Sequence, residues 1–279
     1  LFSFATEIHR EACANNVTGR HIRVKDMAAM TRPTALVTGA SYGVGAAAAL
    51  ALARAGYDVA ITATRAQNLS ETVTALDALG GQVLPLILDL GSRPGIERAV
   101  HEIVAAFGGL DLLVNNAGTN LRALAINVTP AQWDEMITVN VTGTFHLTQQ
   151  VGRHFIEERR AGAVVTIAST HALIGAPERS TYGIVKAAQV QMTRMLAVEW
   201  AEHGIRVNAI APGRMETASP SRATKGADPK YMKAMLDRIP LHRLCTPEEV
   251  AAAVVYLASP QAASITGQVL VLDGGLTAV

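Results

Sequence analysis

From residue 34 to the C-terminus the chain alternates two hydrophobic periods, and no other feature constrains its fold as strongly. Short apolar runs at 34–38, 83–88, 110–114, 163–168, 206–210 and 268–272 have the length and composition of strands, and the alternating Val59, Ile61 and Ala63 make a seventh. Between them lie segments of helical spacing. Residues 45–55 form an Ala/Leu helix closed by Gly56, and Leu69, Val73 and Leu76 share a helical face ended by Gly80-Gly81. Ser92, with Pro94 just inside, opens a helix in which Ile96, Ala99, Val100, Ile103, Val104 and Phe107 follow the i, i+3, i+4, i+7 template. Further helices are expected over 130–151, 182–203 and 247–258. Continuous Val/Ile/Leu runs mark strands buried on both faces, and helices between them supply the crossovers that parallel pairing requires. The expected class is α/β: a doubly wound (Rossmann) parallel seven-stranded sheet with helices on both faces, in a single domain.

Residues 1–31 are polar and aperiodic, and are read as an N-terminal extension. A tag, an upstream start with Met27 or Met30 as the natural one, and a genuine tail all fit that stretch. The dinucleotide-binding and catalytic domain is then 32–279. One polar Pro/Gly segment, 218–230, breaks the rhythm; a lid over 217–238 is expected, although a surface loop has the same composition.

Composition narrows the function classes. With 49% hydrophobic and 17% charged residues the chain packs a core rather than remaining disordered. Lys+Arg 24 against Asp+Glu 23 leaves a net charge of +1, and no basic run is interleaved with aromatics, so no nucleic-acid partner is expected. The longest apolar stretches are about half the ~18 residues of a membrane helix. The opening residues lack a basic n-region and soon meet Glu7, His9, Arg10 and Glu11, which argues against a secretory signal. Cys13 and Cys245 form no CxxC or Cys/His cluster, so neither a metal site nor a disulfide framework is expected, and a reducing, cytoplasmic setting fits.

Five features carry chemistry. Thr38-Gly39-Ala40-Ser41-Tyr42-Gly43-Val44-Gly45 lies between the first strand and first helix, where a turn presents backbone N–H groups and a helix N-terminus to a pyrophosphate. About 20 positions on, the residue ending the second strand reads the adenosine ribose. That region is Ala63-Thr64-Arg65, with no acid to bind the 2′-OH of NAD, so Arg65 favours NADP(H), with NAD(H) as the alternative. Arg65 as a solvated strand-end charge is the competing reading. Tyr182 and Lys186 stand at i, i+4 and project from one helical face. A phenol ionises near pH 10, and an adjacent ammonium stabilises the phenolate toward proton exchange at neutrality. Thirteen residues earlier, Ser169 ends a strand at the carboxyl edge, where it can bond a substrate carbonyl or act as an N-cap. Asn140, flanked by Val139 and Val141, points an amide inward and needs water or backbone partners.

Taken together these segments resemble the short-chain dehydrogenase/reductase family, in its single-domain branch, from Pro33 to the C-terminus. The motifs occur in order: TGxxxGxG at 38–45, Asp89-Leu90, Asn115-Asn116-Ala117-Gly118, Asn140, Ser169, Tyr182-xxx-Lys186, Pro212-Gly213 followed by Thr217, and Asp273-Gly274-Gly275. Segments 239–244, 246–250 and 265–267 are similar to 3-oxoacyl-(acyl-carrier-protein) reductase-like members, a pattern shared with sugar, polyol and small-alcohol dehydrogenases.

The resemblance implies NAD(P)(H)-dependent hydride transfer on a small-molecule carbonyl or alcohol. Tyr182 would be general acid/base, Lys186 would bind the nicotinamide ribose and lower the Tyr182 pKa, Ser169 would orient the carbonyl, and Asn140 would hold a proton-relay water. Cofactor contacts would come from Gly39, Ser41, Tyr42, Gly43, Val44 and Gly45, from Thr64 and Arg65, and from Asp89 and Leu90 at the adenine. Asn116, Ala117 and Gly118 would follow along the cleft, with Tyr182, Lys186, Pro212, Gly213 and Thr217 beside the nicotinamide. A homotetramer is implied as well. Two positions depart from the pattern: Tyr42 stands where NADP-preferring members often have a base, and His242 precedes Arg243 in place of a common Gly. His171, two residues past Ser169, is read as a surface histidine within reach of substrate. A dinucleotide-binding regulator without turnover is the reading from another class, and the complete Asn140, Ser169, Tyr182, Lys186 set argues against it. A nucleotide-sugar epimerase is disfavoured by chain length and by TGxxxGxG in place of TGxxGxxG.

Overall fold

Seven strands pair in parallel into one sheet: β1 (Thr34–Val37), β2 (Asp58–Ala63), β3 (Val83–Ile87), β4 (Leu112–Asn115), β5 (Ala163–Ile167), β6 (Arg206–Pro212) and β7 (Val269–Leu272). Their order in a computed structural model, which describes residues 32–215 and 229–279, is β3-β2-β1-β4-β5-β6-β7. Every adjacent pair is parallel, with Leu36 opposite Ala60 and Leu113 in the central register. Residues 1–31 and most of the expected lid lie outside the described residues.

The strand order reverses between β1 and β4, the switch point at which open α/β sheets leave a crevice beyond their carboxyl ends. Side chains alternate across each strand, so two cores form. Ala35 and Val37 face one side with α1 (Gly43–Arg54), α2 (Ser70–Asp77) and α8 (Pro247–Ala258), while Leu36 faces the other. On that second side lie α3 (Arg93–Phe107), α5 (Thr144–Glu157) and α6 (Ser180–Trp200). The remaining helices are α4 (Pro130–Ile137) and α7 (Pro229–Leu236). The buried face of α1 is mostly small, with Gly45, Ala48, Ala49 and Ala53 beside Val44 and Leu52, and it packs against α8.

Ser92 caps α3 by accepting from the Gly95 N–H at 3.2 Å, as its position before Pro94 predicts. Two capping boxes, Thr129 with Gln132 and Thr246 with Glu249, start α4 and α8. The expected helix at 45–55 begins two residues earlier, and that at 182–203 runs as α6 from Ser180 and ends in a 3₁₀ turn, Ala201–His203.

One expectation needs correction. The single helix over 130–151 is two helices, α4 and α5, joined by a π-helical turn, Thr138–Gly143. The apolar periodicity runs through this turn without a break, but packing decides the local winding. Gly143 abuts the main chain of Leu90 so closely that a Cβ would collide with its carbonyl, which pins this turn beneath the end of β3.

Candidate active site

The turns that follow the strands form one cleft along the carboxyl edge of the sheet. Gly39, Ser41, Tyr42, Gly43 and Val44 line it after β1, and Thr64 after β2. Leu90 follows β3; Asn116, Ala117 and Gly118 follow β4; Ser169 follows β5; and Pro212 ends β6 with Gly213 just beyond it. Asn140 enters from the π-helical turn, and Tyr182 and Lys186 from the first turns of α6.

Why the chain folds this way locally is visible at the first turn. Gly39 has φ +65°, and a Cβ there would lie 2.9 Å from the Ala117 Cα, so the turn can lie against the segment after β4 only with glycine. Asn116 then fastens the two: its side chain donates to the Thr38 and Gly39 carbonyls at 2.9 Å each, and Thr38 Oγ1 accepts from the N–H groups of Asn116 and Ala117 at 3.0 Å. Gly45 lies behind the turn rather than on the cleft; a Cβ on it would strike the Gly39 carbonyl. Tyr42 gives no side-chain cap, the first turn of α1 holds no acid, and Gly43 and Val44 of that turn line the cleft, so the helix end is open to an anion.

At the other end of the cleft, Lys186 is buried at 5% exposure and donates from Nζ to the Ile167 carbonyl at 2.8 Å and to Gln189 Oε1 at 2.9 Å. Its ammonium stands 5.8 Å from the centre of the Tyr182 ring. Ser169 is also buried, and its Oγ accepts from the His171 N–H at 3.2 Å as the cap of the turn Thr170–Ala172. Asn140 is fully buried; its Nδ2 donates to Thr119 Oγ1 at 3.0 Å and to the Met136 carbonyl at 3.1 Å. Both the hydrogen-bonding serine and the tyrosine thus share the cleft with a buried cation, an arrangement able to bind a carbonyl oxygen and pass it a proton.

His171 is not the surface residue expected. It is half-buried in the cleft, its ring edge-on to Tyr182 with centroids 6.1 Å apart. Burial, then the nearby charges of Arg179 and Arg214, push its pKa down from the ordinary imidazole value and disfavour the charged ring. The cleft lining carries Arg122, Arg179, Arg214 and Arg238, the arginine wall of the cleft, against Glu178 as the one acid among the described lining residues. Glu178 pairs with Arg122 at 2.6 Å, and Arg179 donates to Asn120 Oδ1 at 3.0 Å.

Three expected cofactor contacts sit off the cleft lining. Gly45 has the backing role just described, Arg65 is exposed beyond the end of β2 between the lining residues Thr64 and Asn68, and the exposed Asp89 accepts from the Gly91 N–H at 2.8 Å. Thr217 lies outside the described residues. Reading the sequence missed Asn68, the arginine wall and Gln189. For Gln189 a signal existed: at i+7 from Tyr182 and i+3 from Lys186 it is a polar residue on the buried face of α6, and it is 2% exposed. The arginines come from four separate segments, and no spacing joins them.

These residues fit a dinucleotide. The tight Gly39 turn and open α1 N-terminus suit a pyrophosphate. Two buried polar atoms on the lining, Asn140 Oδ1 and His171 Nδ1, have no protein partner among the described residues. Buried polar atoms are rarely left so without a ligand or water to meet them.

The family model for enoyl-(acyl carrier protein) reductases matches residues 39–277. The 3-oxoacyl-[acyl-carrier-protein] reductase FabG of Thermotoga maritima is 38% identical over 241 residues, covering 86% of this chain and 96% of that protein. Among solved structures, a protein from Agrobacterium tumefaciens described as a 2-deoxy-D-gluconate 3-dehydrogenase, with bound NADP, superimposes with TM-score 0.80 at 37% identity, covering 88% of this chain and 97% of that one. A variant of actinorhodin polyketide ketoreductase with NADPH gives TM-score 0.83 at 33% identity, over 88% and 97%.

Proposed function

The chain belongs to the short-chain dehydrogenase/reductase family of oxidoreductases, and from that premise we propose that it is an NADP(H)-dependent reductase or dehydrogenase of a ketone or secondary alcohol, with Tyr182 as its general acid/base. The observation that carries this reading is the convergence of Ser169, Tyr182 and the buried ammonium of Lys186 on one cleft whose other end is the Gly39 turn.

When bound, the nicotinamide dinucleotide supplies or takes up the hydride; the rest belongs to the protein. The turn at 39–44 and the α1 N-terminus, which line the cleft, would hold the pyrophosphate, Leu90 would meet the adenine, and Pro212 and Gly213 would stand beside the nicotinamide. Ser169 Oγ and Tyr182 Oη bond the carbonyl oxygen and fix its face. As the carbonyl becomes an alcohol, the Tyr182 hydroxyl gives its proton to that oxygen; in the reverse direction the phenolate takes it back. Lys186 sets a positive charge beside the phenol, which lowers the cost of the phenolate and steers a ribose hydroxyl. NADP(H) over NAD(H) is favoured by the lack of an acid at Thr64-Arg65 and by the NADP and NADPH bound to the two solved relatives. Tyr42 in place of a base weighs on the side of NAD(H).

The arginine wall favours substrates that carry an anionic group near the carbonyl, as in sugar acids or thioesters of phosphorylated carriers. Following the resemblance, the assembly is a homotetramer. The test is cofactor oxidation by the purified protein with NADPH and NADH separately, against 3-oxoacyl thioesters, keto sugar acids and the methyl esters of those acids. NADPH turnover with the free acids preferred at least about tenfold, roughly one charge-assisted hydrogen bond, is expected. Equal rates with acid and ester would remove the anionic-substrate reading, and tight cofactor binding with no turnover would favour a regulator.

A further inference from the structure

Gln189 makes two contacts that no expectation from the sequence anticipates. Its Oε1 accepts from Lys186 Nζ at 2.9 Å, and its Nε2 donates to the main-chain carbonyl of Asn140 at 2.7 Å. The amide orientation follows from chemistry: an ammonium only donates and a carbonyl only accepts, so the flipped amide would oppose both partners. All three residues are buried, at 2%, 5% and 0% exposure. The Asn140 carbonyl lies within the π-helical turn 138–143, and such turns commonly aim main-chain groups at functional sites.

We propose that Gln189 is a positioning residue: a fixed side-chain bridge standing between Lys186 and Asn140, where the family resemblance places a relay water at Asn140. The inference rests on the reading of Tyr182 and Lys186 given above. Two consequences follow from the chemistry of an amide. Its carbonyl dipole faces the ammonium and holds Lys186 charged and in place beside Tyr182. A neutral amide, unlike water, does not pass a proton along by exchanging one hydrogen bond for another. The proton that Tyr182 gives to substrate is therefore replaced from the cleft side, and the inward route through Asn140 is closed.

The first test uses the wild-type enzyme in a high-resolution crystal structure with NADPH. Gln189 is expected to touch Lys186 Nζ and Asn140 O directly; a water between those two atoms would overturn the proposal, and this result does not depend on any variant folding. The second test is kinetic. Gln189→Met fills the same space without the strong acceptor and donor, whereas Gln189→Ala leaves room for a water that can bridge polar atoms in its place. For alcohol oxidation, Gln189→Met is expected to shift the half-maximal pH upward by about one unit and to lower kcat about tenfold at neutral pH, with KM changed less. Gln189→Ala is expected to return toward the wild-type pH profile. A folded Gln189→Met enzyme with the wild-type profile, or equal losses in both variants that track thermal stability alone, would reduce Gln189 to a packing residue. If Tyr182→Phe kept full turnover, the functional reading itself would fall, whatever the Gln189 variants do.

Discussion

Tyr182 and Lys186 meet because one helical turn separates them, and the buried Lys186 is held in place by the Ile167 carbonyl and the Gln189 amide, which accept from its Nζ. Replacing the ammonium with an apolar chain of similar length tests this. Lys186→Met is expected to cut kcat by about 10²-fold or more and to weaken cofactor binding, measured by steady-state rates and by titration of NADPH fluorescence. A second residue-scale prediction concerns acid. His154 Nε2 accepts from the Leu110 N–H at 3.1 Å, and burial followed by the Arg160 charge pushes its pKa down; His171 is lowered too. The unfolded chain then binds more protons than the folded one below about pH 6.5, so folding stability rises with pH through that range and falls as pH drops below it. Denaturant midpoints at pH 7.5 and 5.5 should show the loss, reduced in His154→Gln; a flat profile would contradict it. At this scale the motif residues were legible because each stands at a fixed spacing in one segment. The arginines were not, since they come from four separate segments, and Gln189 was legible only in part: Lys186 shares its helix, but the Asn140 carbonyl it bonds arrives from another element.

At the scale of elements, the sheet was legible because parallel strands buried on both faces leave uninterrupted apolar runs, as in Ala163–Ile167. The π-helical turn was not, because inserting a residue shifts winding without disturbing which residues are apolar, and the close approach of Gly143 to Leu90 that accompanies it is a contact between distant segments. Another long-range device fixes the end of α8. Arg206 at the start of β6 donates to the carbonyls of Leu257 at 2.6 Å and of Ala258 and Ala262 at 3.2 Å, satisfying the C-terminal groups that a helix leaves open. Arg206→Ala leaves these carbonyls without their partner. A cost of about 2 kcal/mol corresponds to a fall of roughly 4–8 °C in Tm for a domain of this size. Calorimetry should show that fall with Arg206→Lys intermediate, and an unchanged Tm would remove the capping role.

For the whole molecule, the described helices include none long and apolar enough to cross a membrane. One exposed apolar stripe lies on α6, where Ile184, Met195 and Val198 stand at i, i+11 and i+14 and so share a face; Val198 is 80% exposed. Such a stripe suits contact with further copies of the chain, which agrees with the proposed homotetramer. Val198→Glu is expected to lower the mass seen by light scattering, and a wild-type monomer would refute the assembly. The central claim concerns the chemistry of the cleft. Its most direct test is the Tyr182→Phe variant, assayed for carbonyl-dependent NADPH oxidation and, in parallel, for NADPH binding. Turnover reduced by about 10³-fold or more with binding within a few-fold of wild type is the predicted result. Turnover at the wild-type rate would contradict Tyr182 as the proton donor and with it the proposed mechanism.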